Sequence, residues 1–174
     1  MEIIGGIIMN NWKLATIILA ILLGISLMWS VQQRANFEKE QLRTYVLQHG
    51  SLNHTLKTTI EVYEQGGSQK ELGEQLLLMF GRHTDGYPYW DTTAYHMSDF
   101  DDGIRRVLYV VHRKARGNVA TPQDIDRLKD LQLLTQRFRD TTGNNLERKT
   151  VDDYEREFIE FMEYYETQKE DLFK

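Results

Sequence analysis

An uninterrupted apolar run near the N-terminus is the feature that most restricts how this chain can fold. From Leu14 to Val31 the sequence contains no charged residue, and only Thr16, Ser26 and Ser30 interrupt it with polar side chains. A helix needs about 20 mainly apolar residues to cross the hydrocarbon layer of a bilayer. Hydroxyl groups can bond back to helix carbonyls within such a span. The run therefore predicts a transmembrane anchor over residues 12–31.

Aromatic and basic residues mark the two ends of this segment. Trp12 and Trp29 are 17 positions apart, or about 26 Å at the helical rise, so each indole can lie at one membrane interface. Lys13 and Arg34 flank the run, and we expect them at the same interfaces. The alternative is a cleaved secretory signal with small residues at 24–26, but the apolar character continues past that site.

The charges around the anchor allow two orientations. A count of basic residues favours a cytoplasmic C-terminal part, because only Lys13 precedes the span while three basic residues follow it between positions 34 and 43. A short tail with a lysine directly before the run is instead typical of a signal anchor, and Glu38 and Glu40 dilute the later basic residues. We favour a single-pass protein of the cell membrane whose soluble part is extracytoplasmic.

The tail over residues 1–11 contains a second possible start of translation. Met9 is followed by a polar and basic stretch ending at Lys13, which is a usual beginning for an anchor. The preceding Gly5-Gly6 pair can be encoded by a bacterial ribosome-binding sequence. We therefore expect a native start at Met9 and a bacterial gene.

Residues 32–174 are polar and periodic, and we expect them to form one soluble helical domain. The chain has two prolines, and this part has no extended alternating apolar run, so helices separated by turns are favoured over strands. The predicted fold class is all-α: a single N-terminal transmembrane helix followed by a small antiparallel helical bundle.

Glycines and capping residues predict where the helices begin and end. The anchor helix is expected to continue to His49 and stop at Gly50, and the next helix to end at Gly66. A loop is expected from Gly81 to His96. Helix starts are predicted at Ser68 with Glu71, at Ser98 with Asp101, at Thr121 with Pro122 and Asp124, and at Thr150 with Asp152 and Asp153.

The residue types argue against several classes of chemistry. The chain has no cysteine, so disulfides and thiolate sites are excluded. No serine stands in a nucleophile elbow and no two of the five histidines have the i, i+4 spacing of a helical metal site. The net charge of −5 disfavours nucleic acid as a partner. We predict no enzyme, no cofactor and no metal.

Two helices of opposite charge are predicted in the second half of the chain. Five basic residues lie between Arg105 and Arg116, whereas nine acids lie between Asp152 and Asp171 against only Arg156 and Lys169. We expect charge pairing between these two helices, together with a favourable interaction of the basic residues with the end of their own helix dipole.

The segment 86–96 is rich in aromatic side chains with polar tips. Tyr87, Tyr89, Trp90 and Tyr95 lie within eleven residues, and such rings recur in recognition surfaces. The alternative interpretation is a lid that folds back over one end of the bundle. The pattern specifies no ligand.

The final helix has a heptad seam of mainly aromatic residues. Val151, Tyr154, Phe158, Phe161, Tyr165, Gln168 and Leu172 alternate at spacings of three and four. Burial against the preceding helix of the same chain is one explanation for this stripe. Coverage by a partner or a second copy is the other, which makes Phe158 and Phe161 candidate interaction residues.

These observations predict an interaction protein. We expect a non-enzymatic, membrane-anchored helical domain that serves as an interaction or accessory module in a bacterial cell envelope. Its partners are expected to be the lipid bilayer and either another membrane or envelope protein or a second copy. The alternative is a small-ligand sensor that uses residues 86–96.

Overall fold

The computed structural model describes the backbone of residues 2–84 and 93–172 and the side chains of residues 12–82 and 97–170. Within these ranges the chain is all-helical, as predicted, and contains no strand. The helices are α1 (Glu2–Glu64), α2 (Gln69–Thr84), α3 (Thr93–Arg116), α4 (Pro122–Thr142) and α5 (Val151–Leu172). The chain divides into two compact units, Met1–Glu40 and Gln41–Lys174, and α1 contributes to both.

The first unit contains the apolar run. Its large side chains are exposed along the helix, with Leu14 at 61%, Leu19 at 70% and Met28 at 76%. Thr16 donates its hydroxyl to the Trp12 carbonyl at 3.0 Å, the back-bond expected within a span. Near the N-terminus the described chain therefore has one helix that is long and apolar enough to cross a membrane.

The prediction that Gly50 ends the first helix is wrong, because α1 continues to Glu64. Glycine costs about 1 kcal/mol in a helix interior. Val46 and Leu52 on either side of it are both buried in one core, and this burial outweighs the cost. The chain turns instead at Gly66, whose φ of 108° suits a residue without a side chain.

The connection between α2 and α3 is shorter than the predicted loop over residues 81–96. Helix α2 runs to Thr84 and α3 begins at Thr93. Ser98 and Asp101 therefore lie inside α3, and their predicted capping role is wrong. Asp101 is buried and is hydrogen-bonded to Tyr45 and His49 of α1 instead.

The predicted capping box at Ser68 is confirmed, and the predicted cap at Thr150 forms a box of the same kind with Asp153. The Ser68 amide donates to Glu71 at 2.9 Å and the Glu71 amide donates back to the Ser68 hydroxyl at 3.2 Å. Thr150 and Asp153 make the same pair of bonds at 2.9 and 3.2 Å. The bond from the capping backbone amide lowers the pKa of each carboxyl group.

The start of α4 is joined to the end of α3 by one buried carboxylate. Thr121 donates its amide and its hydroxyl to Asp124 at 2.9 and 2.7 Å, and Lys114 of α3 donates to the other oxygen at 2.6 Å. Burial raises the pKa of Asp124, but the hydrogen bonds from Lys114 and Thr121 outweigh it, so the net pKa is lowered. This carboxylate stabilises the fold when ionised.

The core of the second unit is dominated by aromatic rings. Phe138 of α4 has its ring centroid 5.7 Å from that of Phe158 and 4.9 Å from that of Phe161. Phe100 of α3 lies 4.8 Å from Phe161 in an edge-on arrangement. Such pairs contribute about 0.5–1.5 kcal/mol each beyond their buried area. The four aromatic residues of the predicted stripe on α5 are thus covered within the chain, whereas Gln168 is exposed.

Alanine substitutions at two glycines test the packing around α1 and α2. A Cβ on Gly50 would meet only the Arg139 side chain at 3.8 Å, whereas a Cβ on Gly73 would approach the Arg116 amide nitrogen at 3.2 Å. We expect Gly50→Ala to raise the free energy of unfolding by about 0.5–1 kcal/mol. We expect Gly73→Ala to lower it by about 1–3 kcal/mol. Thermal unfolding of the full chain in detergent, followed by circular dichroism, measures both, and a loss of stability in Gly50→Ala would contradict the continuous helix.

Asp124 predicts a defined acid dependence of stability. Its folded pKa lies below its unfolded value of about 3.9, so its contribution is present above that value and is lost as pH falls through the folded pKa. Asp124→Asn should cost about 0.5–2 kcal/mol at pH 7. The difference from the wild type should shrink below about pH 4. An equal difference at pH 7 and pH 3 would contradict this role.

Candidate functional site: a buried polar cluster and two charged helix faces

The aromatic segment predicted to recognise a ligand lies largely outside the described residues. Tyr87, Tyr89 and Trp90 belong to that part of the chain, and Tyr95 lies on α3 by its backbone while its side chain is not described. The small-ligand sensor based on residues 86–96 stays a prediction.

The remaining predicted site residues fall into two groups. Trp12 and Trp29 are 75% and 68% exposed on α1, and Lys13 and Arg34 are also exposed. The two candidate interaction residues on α5, Phe158 and Phe161, are instead buried in the core. They are not an exposed interaction surface, because Phe138 and Phe100 of the same chain cover them.

A histidine, an aspartate and a tyrosine form a buried polar cluster between α1 and α3. His49 has no exposed surface, and Tyr45 and Asp101 are 4% and 5% exposed. The Tyr45 hydroxyl donates to Asp101 Oδ1 at 2.9 Å, and His49 Nε2 lies 3.0 Å from the same oxygen. His49 Nδ1 lies 2.9 Å from the Tyr45 carbonyl oxygen.

His49 and Asp101 belong to one hydrogen-bonded unit. The Tyr45 carbonyl oxygen can only accept, so His49 Nδ1 is the donor in that contact. His49 Nε2 and the Tyr45 hydroxyl both contact the same oxygen of Asp101. The three side chains therefore join α1 to α3 inside the core.

Aromatic rings surround the His49 imidazole. Phe100 stacks on it with an interplanar angle of 26° and a centroid distance of 5.4 Å. Tyr45 and Phe138 lie at 4.2 and 5.0 Å in tilted arrangements. The cluster is enclosed by residues of α1, α3 and α4. Its described geometry is therefore suited to holding these helices together rather than to binding a substrate.

Helix α3 presents a basic face to solvent. Arg106, Arg113 and Arg116 are exposed, and Tyr109 between them is 47% exposed. The Arg113 guanidinium lies 5.9 Å from the centroid of the Tyr109 ring. Spacings of three and four residues place Arg106, Tyr109 and Arg113 as neighbours on one helix surface.

Helix α5 presents an acidic face. Glu160 and Glu163 are exposed and have no ion-pair partner among the described residues, and Ile159 beside them is 56% exposed. Other acids of this helix pair locally, as Asp153 does with Arg156 at 2.8 Å.

The charge pairing predicted between α3 and α5 is not formed by the three arginines of the basic face. No ion pair between described residues joins Arg106, Arg113 or Arg116 to an acid on α5, and Lys114 pairs with Asp124 of α4 instead. The predicted cluster of basic residues in the last turn of α3 is confirmed. These three arginines therefore face solvent.

A shallow groove of about 280 Å³ lies between the end of α1 and the start of α2. Its carboxylate, Glu71, already accepts the capping bonds of Ser68. Its other lining residues are uncharged, including Thr58, Val62 and Gln75. Within the described part of the chain no group of three or more His, Asp or Glu side chains could hold a metal ion. The groove therefore provides a contact surface, but its lining residues do not combine an acid, a base and a nucleophile.

Comparisons with known proteins add no relative. No family model matches the chain, and neither a curated protein nor a solved structure is significantly similar to it.

The buried pair predicts strong coupling between its two members. Replacing His49 or Asp101 by Leu leaves the other group buried without its partner, which should cost about 3–5 kcal/mol. The double variant should lose at least 1 kcal/mol less than the sum of the single losses. Asp101→Asn should cost less than Asp101→Leu, because an amide N–H can donate to Nε2.

Chemical denaturation of the full chain in detergent measures this cycle. Asp102→Leu is the matched control, because Asp102 is a neighbouring exposed acid that pairs with Arg105 and should cost about 1 kcal/mol or less. Additive losses in the double variant would show that His49 and Asp101 do not act as a unit.

Proposed function

We propose that this chain is a single-pass membrane protein whose helical unit serves as an interaction or accessory module of a bacterial cell envelope, without enzymatic activity of its own. The observation that carries the proposal is the apolar helix over residues 14–31, whose side chains are exposed in the structure. Apolar side chains in such a continuous stretch are suited to a lipid environment.

We propose that the second unit is an antiparallel helical bundle. Asn53 of α1 donates to Thr135 of α4 at 3.1 Å, and Glu64, farther along α1, pairs at 2.6 Å with Lys129, which comes earlier in α4. Contacts that advance along one helix while they retreat along the other support antiparallel neighbours.

The same relation supports antiparallel packing of α2 and α3. His112 donates to the Gly73 carbonyl at 2.8 Å, while the rings of Phe80 and Tyr109 have centroids 5.7 Å apart. The later residue on α2 thus meets the earlier residue on α3. Short connections between these helices agree with the proposed bundle.

The outer surface of the unit supports a role in protein contact. Large apolar side chains are exposed beside charged residues, including Leu78 at 57%, Tyr109 at 47%, Leu133 at 60% and Ile159 at 56%. Protein interfaces combine apolar and aromatic contacts with a polar rim. The buried polar cluster holds the core in one arrangement, so that these surface residues keep fixed positions.

We propose that the helical unit lies outside the cytoplasmic membrane, since Lys13 stands directly before the apolar run in the manner of a signal anchor. The absence of cysteine makes labelling specific. In intact cells, a membrane-impermeant maleimide should label Lys70→Cys on the exposed surface of α2. It should label Asn10→Cys only after lysis. The reverse pattern would place the unit in the cytoplasm.

Membrane anchoring itself is tested by extraction at alkaline pH. The wild-type chain should stay with the membrane pellet, whereas a variant with Leu19→Arg and Leu22→Arg should move toward the soluble fraction, because each charge at a span centre costs about 2.5–3.5 kcal/mol. Leu77→Arg and Leu78→Arg on the exposed face of α2 form the matched control and should not change the partition. A soluble wild-type chain would contradict the anchor.

Site-specific photo-crosslinking in native membranes tests the interaction role. A photoreactive residue at Tyr109 or Ile159 should give discrete protein adducts, because both positions are exposed and apolar. Lys57, which is exposed on α1 and pairs with Glu61, is the control position and should give none. The absence of adducts at all exposed apolar positions of the unit would contradict an interaction module.

A further inference from the structure

We infer that the partner of the charged faces is a second copy of this chain, with the basic face of α3 in one copy against the acidic face of α5 in the other. The basic face is defined by Arg106, Tyr109, Arg113 and Arg116, and the acidic face by Ile159, Glu160 and Glu163. This inference rests on the proposed function in taking the helical unit to act through protein contact.

The basic face combines charge with an exposed ring. Arg106 and Arg113 have no ion-pair partner among the described residues, and the Arg113 guanidinium lies over the Tyr109 ring at 5.9 Å. Arginine and tyrosine are both enriched in protein interfaces. A helix that carries acids and an exposed apolar side chain would satisfy this face.

The acidic face has the complementary composition. Glu160 and Glu163 project from α5 beside Ile159, which is 56% exposed and lies outside the buried stripe of that helix. The three-residue spacing of Glu160 and Glu163 matches that of Arg113 and Arg116 on α3. The basic face thus supplies three positive charges beside Tyr109, and the acidic face supplies two negative charges beside Ile159.

The two faces belong to neighbouring helices. Tyr165 of α5 donates its hydroxyl to the Asp99 carbonyl of α3 at 3.1 Å, and Phe100 contacts Phe161. In a two-fold dimer in which each basic face meets the acidic face of the other copy, both contacts would form at once. Such isologous dimers are the commonest closed assemblies.

Charge reversal with complementation tests the dimer. Variant one carries Arg106→Glu and Arg113→Glu, and variant two carries Glu160→Lys and Glu163→Lys. Each variant alone places like charges in both contacts, so its dimer dissociation constant should rise at least tenfold over wild type. An equimolar mixture of the two restores opposite charges in both contacts, and so should recover dimers. Sedimentation of the full chain in detergent measures these associations.

Matched controls separate specific contacts from net charge and from folding. Lys57→Glu with Lys70→Glu has the same net charge change as variant one, and should leave association unchanged. Melting temperatures by circular dichroism should stay near wild type in both variants, because all four positions are exposed. Raising the NaCl concentration to about 0.5 M should weaken the wild-type dimer, since exposed charges are screened.

Three results would overturn the inference. These are a wild-type chain that stays monomeric at every concentration, a dimer that neither variant weakens, and weakened variants that fail to complement each other. Binding of wild type but not of variant one to vesicles containing anionic lipid, with no dimer in either, would assign the basic face to lipid. In each of these cases, photo-crosslinked adducts between other proteins and position 109 or 159 would still support the proposed function, so the two failures can be distinguished.

Discussion

The fold depends on the burial of aromatic side chains from α5 against α3 and α4. Phe158 and Phe161 have almost no exposed surface, and Phe138 and Phe100 form the opposite wall. Burying one such ring contributes about 1.5–3 kcal/mol. Because these rings are covered within the chain, the proposed association would use the remaining surface of α5, where acids lie beside Ile159.

Polar groups inside this aromatic core add specificity to its packing. Asp101 is hydrogen-bonded to both Tyr45 and His49, which favours one register of α1 against α3. A shift along either helix would leave a carboxylate or an imidazole buried without partners, at a cost of several kcal/mol. The cluster therefore fixes the position of α3 relative to α1. Helix α3 carries exposed residues of the surface on which the function is proposed.

Sequence patterns predicted the elements that depend on local chemistry. The boxes at Ser68 and Thr150 and the apolar run from Leu14 are recognisable because each signal lies within a few turns of one helix. Gly50 misled the prediction, because its neighbours Val46 and Leu52 are buried in a core whose other members come from distant parts of the chain. The role of Asp101 could not be predicted, since its partners Tyr45 and His49 are more than 50 positions away.

Hydrogen exchange of the full chain in lipid nanodiscs tests most directly the claim that a membrane helix is joined to a self-contained helical unit. The amides of residues 14–31 should be strongly protected in the bilayer, and those near His49 should be protected by the core. Exchange over residues 14–31 at the rate of an unstructured peptide, while the amides near His49 stay protected, would contradict the account.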